Sequence, residues 1–392
     1  PGTHLVVAKA EGLHTAVRLA RVLPDETTKL FFILGRATED PATEIPPENI
    51  VDNENVGDGT TAHWEVDGSN QYVRPDPANR DGWLALRSRG NECFGYWQSV
   101  RGWIPRRDDS LYRVEFSVAS DQEDPAKSPS MRLRVNSDSY QQSDIFRVNS
   151  LGDAGLAPTI EGTSYRMYFE PIDIGEARSE RLDGMNVSFD LVNFDPKDAP
   201  DGQLTLQSLT IDAIPMAQVG ESTILQSWTF ADGAQQGWIS GGAAQTYDVP
   251  EAAATAKGLA MRAHHQRGVY GYWSSPGDGF FAPEAGALLR FTFAISSDQV
   301  DASQATQLRV RMHALDGQVA VLKVVESHSD GANSPTTAGK QYRLYFEVPP
   351  AEAGKALIAS LDLLAFNPQD AQDNTLILEG VTIEQLSAPT VE

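Results

Sequence analysis

The 392-residue chain lacks the features that most directly identify an enzyme or a membrane protein. Its single cysteine, Cys93, excludes an intrachain disulfide and leaves no second thiol to share a metal. No apolar run reaches about 18 residues, so no transmembrane helix is expected. The motifs G-x-S-x-G, H-E-x-x-H, G-x-x-x-x-G-K-S/T and G-x-G-x-x-G are absent from the sequence. We therefore expect no enzymatic activity.

Basic residues are also few, with 31 Lys and Arg against 54 Asp and Glu and a net charge of −23. This charge repels phosphate backbones and anionic membrane surfaces, so we expect neither nucleic-acid binding nor membrane insertion. The content of 41% hydrophobic and 22% charged residues is typical of a folded protein. Because the chain begins with Pro1 rather than Met, we expect a processed or trimmed product, and such processing can remove a targeting segment.

What the sequence does contain is an internal duplication. YRMYFE at 165–170 returns as YRLYFE at 342–347, and SFDLVNFDPKDAPDG at 188–202 returns as SLDLLAFNPQDAQDN at 360–374. A fixed period of this kind indicates a duplicated structural unit. Features present in both copies indicate the fold or a function that the copies share. Features present in one copy alone indicate specialisation of that copy.

The duplication divides the chain into three parts. Residues 1–48 form a strand-rich segment and linker, residues 49–216 the first repeat, and residues 217–392 the second repeat. The first part contains three short β-like runs but too little sequence for a stable core of its own. Two interpretations stay open for it: the tail of an upstream domain, or an extension that takes part in assembly.

Within each repeat the apolar residues alternate with a period of two. In MRLRVNS at 131–137, Met131, Leu133 and Val135 point one way, and the intervening arginines point the other way. Alternating runs of this kind, separated by Gly, Pro, Asp and Ser turns, indicate antiparallel strands. The predicted fold is all-β, with two tandem antiparallel β-sandwich (jelly-roll) domains after the N-terminal segment.

The second repeat shows the order of these elements most clearly. WTFADGAQQGW at 228–238 is followed by KGLAMRAH at 257–264, APEAGALLRFTFAISSDQ at 282–299 and LILEGVTIEQ at 376–385. This order resembles the carbohydrate-binding modules of families four and nine and their galactose-binding-like jelly-roll relatives, and the resemblance covers both repeats. It implies a glycan partner lying across one sheet. The matching motifs are patterned strands, and the same scaffold also serves as a structural spacer.

The resemblance further implies that outward-facing polar side chains bond the sugar hydroxyls while aromatic rings stack on the sugar faces. Transferred by position, the polar candidates are Arg132, Arg134, Arg166, Tyr168, Glu170, Asn186 and Asp190 in the first repeat and Arg309, Arg311, Arg343, Tyr345, Glu347 and Asp362 in the second. Tyr140 stands where the family often has a stacking aromatic ring.

An alternative interpretation of these positions is a solvated sheet face with cross-strand Arg–Asp and Arg–Glu pairs, each of small energetic value. The charged set survives in both copies, whereas Tyr140 has no counterpart and Ile358 replaces Asn186 in the second. This comparison favours the structural interpretation for most charged positions. It also makes the first repeat the better candidate for sugar binding.

The aromatic residues of FGYW at 94–97 alternate, with Phe94 and Tyr96 on one side and Trp97 on the other. Because YGYW at 270–273 keeps this pattern, we expect these rings to pack in the core. Trp103 has no clear tryptophan counterpart and is a candidate for an exposed binding platform.

Acidic loops recur as well, and the resemblance implies a structural Ca²⁺ bound by their oxygen atoms. The candidate ligands are Asp195, Asp198 and Asp201 in the first repeat and Asp370 and Asp373 in the second. Their spacing is not that of an EF-hand. The alternative is that these residues cap turns through their own backbone. No other cofactor is expected.

Two functions of different classes follow from the sequence. The first is a non-catalytic carbohydrate-binding protein, secreted or on a bacterial cell surface, whose partner is a polysaccharide or glycan. The second is a structural or adhesive surface or filament protein, which self-associates by pairing strands of its N-terminal segment with a sheet edge of a neighbouring subunit.

Overall fold

The structure is a computed structural model of the whole chain. It describes residues 2–8, 16–22, 48–51, 64–68, 72–73, 84–89, 93–100, 103–137, 142–148, 157–171, 184–193, 202–231, 233–243, 246–249, 258–263, 269–277, 280–302, 307–314, 319–325, 334–348, 353–365 and 374–387. The chain divides into two compact units, Pro1–Pro46 and Pro47–Glu392.

The first unit contains an antiparallel pair of strands. β1 (Gly2–Ala8) pairs with β2 (Ala16–Val22) in a two-stranded sheet, with Leu5 opposite Leu19. These strands match the first two of the three predicted β-like runs, and the third run lies outside the described residues.

The second unit is built from strands in both repeats, and its described residues also include single-turn 3-10 helices at Pro125–Lys127 and Met216–Gln218. The strands of the first repeat are β3 (Glu48–Val51), β4 (Trp64–Gly68), β5 (Tyr72–Val73), β6 (Leu84–Ser88), β7 (Cys93–Ser99), β8 (Ile104–Pro105), β9 (Ser110–Ser120), β10 (Met131–Ser137), β11 (Gln142–Val148), β12 (Thr163–Phe169), β13 (Gly184–Asn193) and β14 (Gln203–Pro215). Those of the second are β15 (Ser222–Thr229), β16 (Ile239–Gly242), β17 (Tyr247–Asp248), β18 (Leu259–Ala263), β19 (Val269–Ser274), β20 (Phe280–Phe281), β21 (Leu288–Ser297), β22 (Gln307–Ala314), β23 (Val319–Val325), β24 (Lys340–Glu347), β25 (Ala356–Ala365) and β26 (Thr375–Leu386).

Each repeat is an antiparallel β-sandwich, as the sequence predicted. In the first repeat, the sheet β12-β9-β14-β6-β5 packs against a layer ordered β11-β10-β13-β7-β4. In the second, the sheet β24-β21-β26-β18-β17 packs against a layer ordered β23-β22-β25-β19-β16. The repeats therefore have the same jelly-roll architecture.

The two sandwiches have separate hydrophobic cores, and period-two alternation supplies both of them. Leu133 on β10 and Phe189 on β13 face Phe116 of the opposite sheet in the first core, which shares no residue with the second. Trp97 is buried, and its indole N–H donates to the carbonyl of Ala85 at 3.0 Å. This hydrogen bond joins the two sheets of the first sandwich.

The repeats share one sheet. β11 of the first repeat pairs antiparallel with β23 of the second, at Arg147 opposite Val321. The layers that contain these strands, together with β8 beside β13 and β20 beside β25, form a single 12-stranded sheet. A third buried cluster draws residues from both repeats, namely Leu111, Tyr168, Ile214, Val219, Leu288, Tyr345 and Leu386. Shared sheet and shared cluster make the two repeats one compact unit.

No helix in the described part of the chain has the length and apolar character required to cross a membrane.

Candidate functional site

The predicted polar positions of β10 and β13 lie together on the face of the 12-stranded sheet turned away from the core. Asp190 is opposite Arg132 in the strand register, and its Oδ2 atom lies 2.8 Å from Arg132 Nε and 2.6 Å from Arg134 Nε. The Asp190 side chain has no exposed surface, and both arginines are buried. The predicted cross-strand Arg–Asp pairing is present, but the expectation that the face is solvated is wrong.

The electrostatics of this cluster favour a charged Asp190. Burial disfavours the carboxylate, but the Arg134 and Arg132 guanidinium groups and the Ser188 hydroxyl outweigh it and hold the pKa of Asp190 below its usual value. One buried carboxylate partly neutralises the charges of the two arginines. We therefore infer that the main role of this cluster is structural.

Two aromatic rings complete the same face. Phe94 and Tyr96, on β7 beside β13, are half-buried and point away from the core, where Trp97 lies. The Arg134 guanidinium carbon lies 5.5 Å from the centre of the Tyr96 ring, and that of Arg132 lies 5.6 Å from the centre of the Phe94 ring. The prediction that these rings pack in the core is therefore wrong for Phe94 and Tyr96 and right for Trp97.

The second repeat reproduces this cluster with Arg309, Arg311, Asp362 and Tyr270. Asp362 Oδ2 lies 2.7 Å from Arg309 Nε, and Arg311 Nη2 donates to the Tyr270 hydroxyl at 2.9 Å. Asp362 is as buried as its counterpart, whereas the two arginines are more exposed than those of the first repeat. The charged and aromatic parts of this face are therefore common to both repeats.

Two asparagines distinguish the face of the first repeat. Asn186 on β13 and Asn136 on β10 are opposite each other in the register and are 3% and 5% exposed. Asn186 Nδ2 donates to the Ser99 carbonyl, but Asn186 Oδ1 and both amide atoms of Asn136 have no hydrogen-bond partner among the described residues. A buried polar atom without a partner costs about 1–3 kcal/mol, so these three atoms destabilise the fold unless a further hydrogen-bonding group reaches them.

Tyr168 and Tyr345 do not belong to this face, contrary to the sequence-based grouping. They lie on β12 and β24, in the other sheets, and are buried in the cluster between the repeats. The Tyr168 hydroxyl donates to Glu347 at 2.7 Å, and Arg166 Nη1 donates to the same carboxylate at 2.6 Å. The polar groups of Tyr168 and Arg166 therefore form hydrogen bonds with the other repeat.

Trp103 is not an exposed platform. It is half-buried, packs against the first core and meets Trp64 edge to face, with ring centres 5.7 Å apart. The expectation of an exposed ring is therefore wrong, since its surface is used in packing.

Several predicted residues lie outside the described part of the chain. These are Tyr140 and the proposed calcium ligands Asp195, Asp198, Asp201, Asp370 and Asp373. Among the described residues, no group of three or more His, Cys, Asp or Glu side chains is placed to hold a metal ion. Calcium binding by the acidic loops stays a prediction.

Sequence reasoning missed Phe94, Tyr96 and Asn136 as members of the face. The signal for the rings was present, because Phe94 and Tyr96 alternate with Trp97 and must leave the core if Trp97 enters it. Asn136 continues the Arg132, Arg134 series by the same two-residue step. Its lack of a partner depends on the three-dimensional surroundings and has no sequence signal.

The chain was compared with known proteins. No family model and no curated protein matches it. Among solved structures, it is similar to the N-terminal CBM22-1–CBM22-2 tandem domain of Paenibacillus barcinonensis Xyn10C, with 10% identity, 87% of this chain and 98% of that chain covered, and a TM-score of 0.28.

Two further structures are similar. A family 11 carbohydrate-binding module from Clostridium thermocellum, in complex with a β-1,3-1,4-mixed-linked tetrasaccharide, has 10% identity, covers 43% of this chain and 96% of its own, and has a TM-score of 0.28. The ANX2 ectodomain from Arabidopsis thaliana has 11% identity, covers 87% of this chain and 94% of its own, and has a TM-score of 0.24. At these identities and scores the comparisons do not assign a function.

Proposed function

We propose that this chain is a non-catalytic carbohydrate-binding protein and that its glycan site is the Asn136–Asn186 face of the first repeat. The observation that carries the proposal is the pair of buried amides, of whose four polar atoms three lack partners among the described residues, on the same sheet face as the half-buried ring of Tyr96. An amide offers both a donor and an acceptor, which match the paired hydroxyls of a sugar. An aromatic ring provides packing surface for the apolar C–H face of a pyranose.

The charged cluster has a supporting role in this proposal. Asp190, Arg132 and Arg134 hold β10 and β13 in register and fix the adjacent rings. A rigid polar surface loses less entropy when a ligand binds than a mobile one does. Tyr140, which follows β10, is the candidate stacking ring in this proposal.

Affinity electrophoresis of the full chain tests the proposal, with soluble β-glucan, xylan and galactomannan each cast in a native gel. We expect at least one polysaccharide to retard the wild-type chain, and Asn136→Ala with Asn186→Ala to reduce the retardation at least about tenfold. Ile358→Ala, at the equivalent position of the second repeat, is the matched control and should leave it unchanged. Absence of retardation by every polysaccharide, or equal retardation of all variants, would contradict the proposal.

A structural or adhesive function is the second candidate, and the N-terminal hairpin favours it. Among the described residues β1 and β2 form a two-stranded sheet, and such a hairpin is marginally stable alone. Strand addition by a neighbouring subunit would complete it. Light scattering after size exclusion, with and without residues 1–45, tests this: assembly predicts a larger mass for the full chain, and equal monomers exclude it.

A further inference from the structure

The polar contacts between the repeats occur twice, with the roles of the two copies exchanged. Arg166 Nη1 donates to Glu347 at 2.6 Å, and Arg343 Nη1 donates to Glu170 at 3.2 Å. The Tyr168 hydroxyl donates to Glu347, as the equivalent Tyr345 hydroxyl does to Glu170. These six residues occupy the same positions of YRMYFE at 165–170 and YRLYFE at 342–347. The polar half of the junction therefore follows a two-fold pattern.

The apolar cluster of the junction has the same symmetry. It contains Leu111 from β9 and Leu288 from the equivalent strand β21, together with the two tyrosines. It also contains Ile214 from β14 and Leu386 from the equivalent strand β26. Six of its seven buried members thus form three equivalent pairs.

The backbone pairing between the repeats has the same two-fold symmetry. β11 and β23 each follow and pair with the strand that carries the two arginines of their repeat. They pair antiparallel with each other across the junction. Two equivalent strands paired in this way are related by a two-fold axis perpendicular to the sheet, which is the arrangement of a symmetric homodimer.

From these three observations we infer that the junction is a self-complementary interface that accepts a second copy of either repeat. In a pair made of two copies of the first repeat, Glu170 of one copy would occupy the position that Glu347 has in the intact chain. It would then lie opposite Arg166 of the other copy. Leu111, Tyr168 and Ile214 would then pack against their own copies. No charge would be left without a partner, so the homotypic pair keeps the same kinds of contact as the natural junction.

In the intact chain the short joint at 216–221 keeps the repeats at a high effective concentration, which favours the intramolecular pair.

The experiment cuts this joint after the chain has folded, so that the two repeats are no longer covalently linked. A protease recognition sequence is inserted after Gly220, where the chain is exposed, and the folded full chain is cleaved there. Native mass spectrometry then follows the exchange of the halves, whose masses differ.

We expect cleavage to leave dimers of three kinds, first–first, first–second and second–second, within about tenfold of the statistical ratio 1:2:1. Formation of the first–second pair alone would overturn the inference. Separation of the halves into monomers at about 10 μM would also overturn it, because a specific interface should have a dissociation constant below that protein concentration.

A charge exchange in one repeat gives a second, independent test. Arg166→Glu with Glu170→Arg keeps the first–first pair complementary but places like charges opposite Arg343 and Glu347. We expect the ratio of first–second to first–first pairs to fall at least about tenfold. Adding Arg343→Glu and Glu347→Arg should restore the original ratio. Unchanged ratios in both variants would show that the halves associate through another surface.

The inference does not depend on glycan binding, because the junction residues lie on other strands than Asn136 and Asn186.

Discussion

At the scale of single residues, Asp190 is the buried carboxylate at the centre of the charged cluster of the first repeat. Its carboxylate is fully buried and has two arginine partners, Arg132 and Arg134. Removing one partner from such a group leaves a buried charge uncompensated, which typically costs about 3–5 kcal/mol.

We therefore expect Asp190→Ala to lower the free energy of unfolding by about 3–5 kcal/mol, as measured by urea denaturation. Asp108→Ala is the control, because Asp108 is exposed and its ion pair with Arg106 is worth about 0–1 kcal/mol. A loss from Asp190→Ala no larger than that from Asp108→Ala would mean that the buried cluster does not stabilise the sandwich.

The same residue gives a pH dependence with a defined sign. Because the pKa of Asp190 is lowered on folding, its contribution is fully present above the unfolded carboxyl pKa of about 4 and is lost as the pH falls toward the folded value. The difference in unfolding free energy between wild type and Asp190→Asn should therefore shrink from about pH 6 to about pH 3. A constant or growing difference over this range would contradict the assignment.

The residue scale also shows where sequence reasoning stops. Alternation placed Leu133, Phe189 and Arg132 on the correct faces, because the period of a strand is two. It did not reveal that the arginine face is buried, since burial of that face depends on neighbouring strands and loops. The aromatic pair Phe94 and Tyr96 was assigned to the core from its retention in both repeats, and retention does not distinguish core packing from a charged cluster.

At the scale of elements, one indole hydrogen bond joins the two sheets of each sandwich. Trp97 on β7 donates to Ala85 on β6, and Trp273 on β19 donates to Ala260 on β18 at 3.2 Å. Both rings are buried in their cores. The equivalence of the two bonds indicates that the contact is part of the fold.

We expect Trp97→Phe to destabilise the chain by about 1–3 kcal/mol, because the buried Ala85 carbonyl loses its donor. Urea denaturation measures this loss, and Trp273→Phe should produce a loss of the same order. Gln98→Ala, on the adjacent half-buried position of β7, is the control and should change stability by about 0.5 kcal/mol. Equal losses for Trp97→Phe and Gln98→Ala would refute the role of the bond.

Strand existence and facing were predictable from the sequence, but the joining of the two layers through β11 and β23 was not. Alternation identifies a strand and its buried side without identifying which edge it pairs with. The same limit explains Tyr168, which the sequence placed with Arg132 although β12 and β10 belong to different sheets.

At the scale of the whole molecule, the two repeats behave as one unit because they share a sheet and an apolar cluster. Coupling of this kind makes unfolding cooperative. The duplication itself was clear from the sequence, whereas the symmetric junction became visible only when equivalent residues were found in contact.

We expect calorimetry to show one unfolding transition for the second unit of the wild-type chain and two transitions for Tyr168→Ala. The variant removes a buried ring and one of the donors to Glu347. Ser164→Ala, exposed on the same strand, should keep the single transition. A single transition in both variants would show that the junction does not couple the repeats.

The proposed glycan site lies in the first repeat, because the second repeat has Ile358 at the position of Asn186. It is tested most directly by affinity electrophoresis of two reciprocal full-chain variants, Asn186→Ile and Ile358→Asn, in gels containing the polysaccharide that retards the wild type most. We expect Asn186→Ile to lose retardation at least about tenfold and Ile358→Asn to keep it at or above the wild-type level. Full retardation of Asn186→Ile would contradict glycan binding at this site.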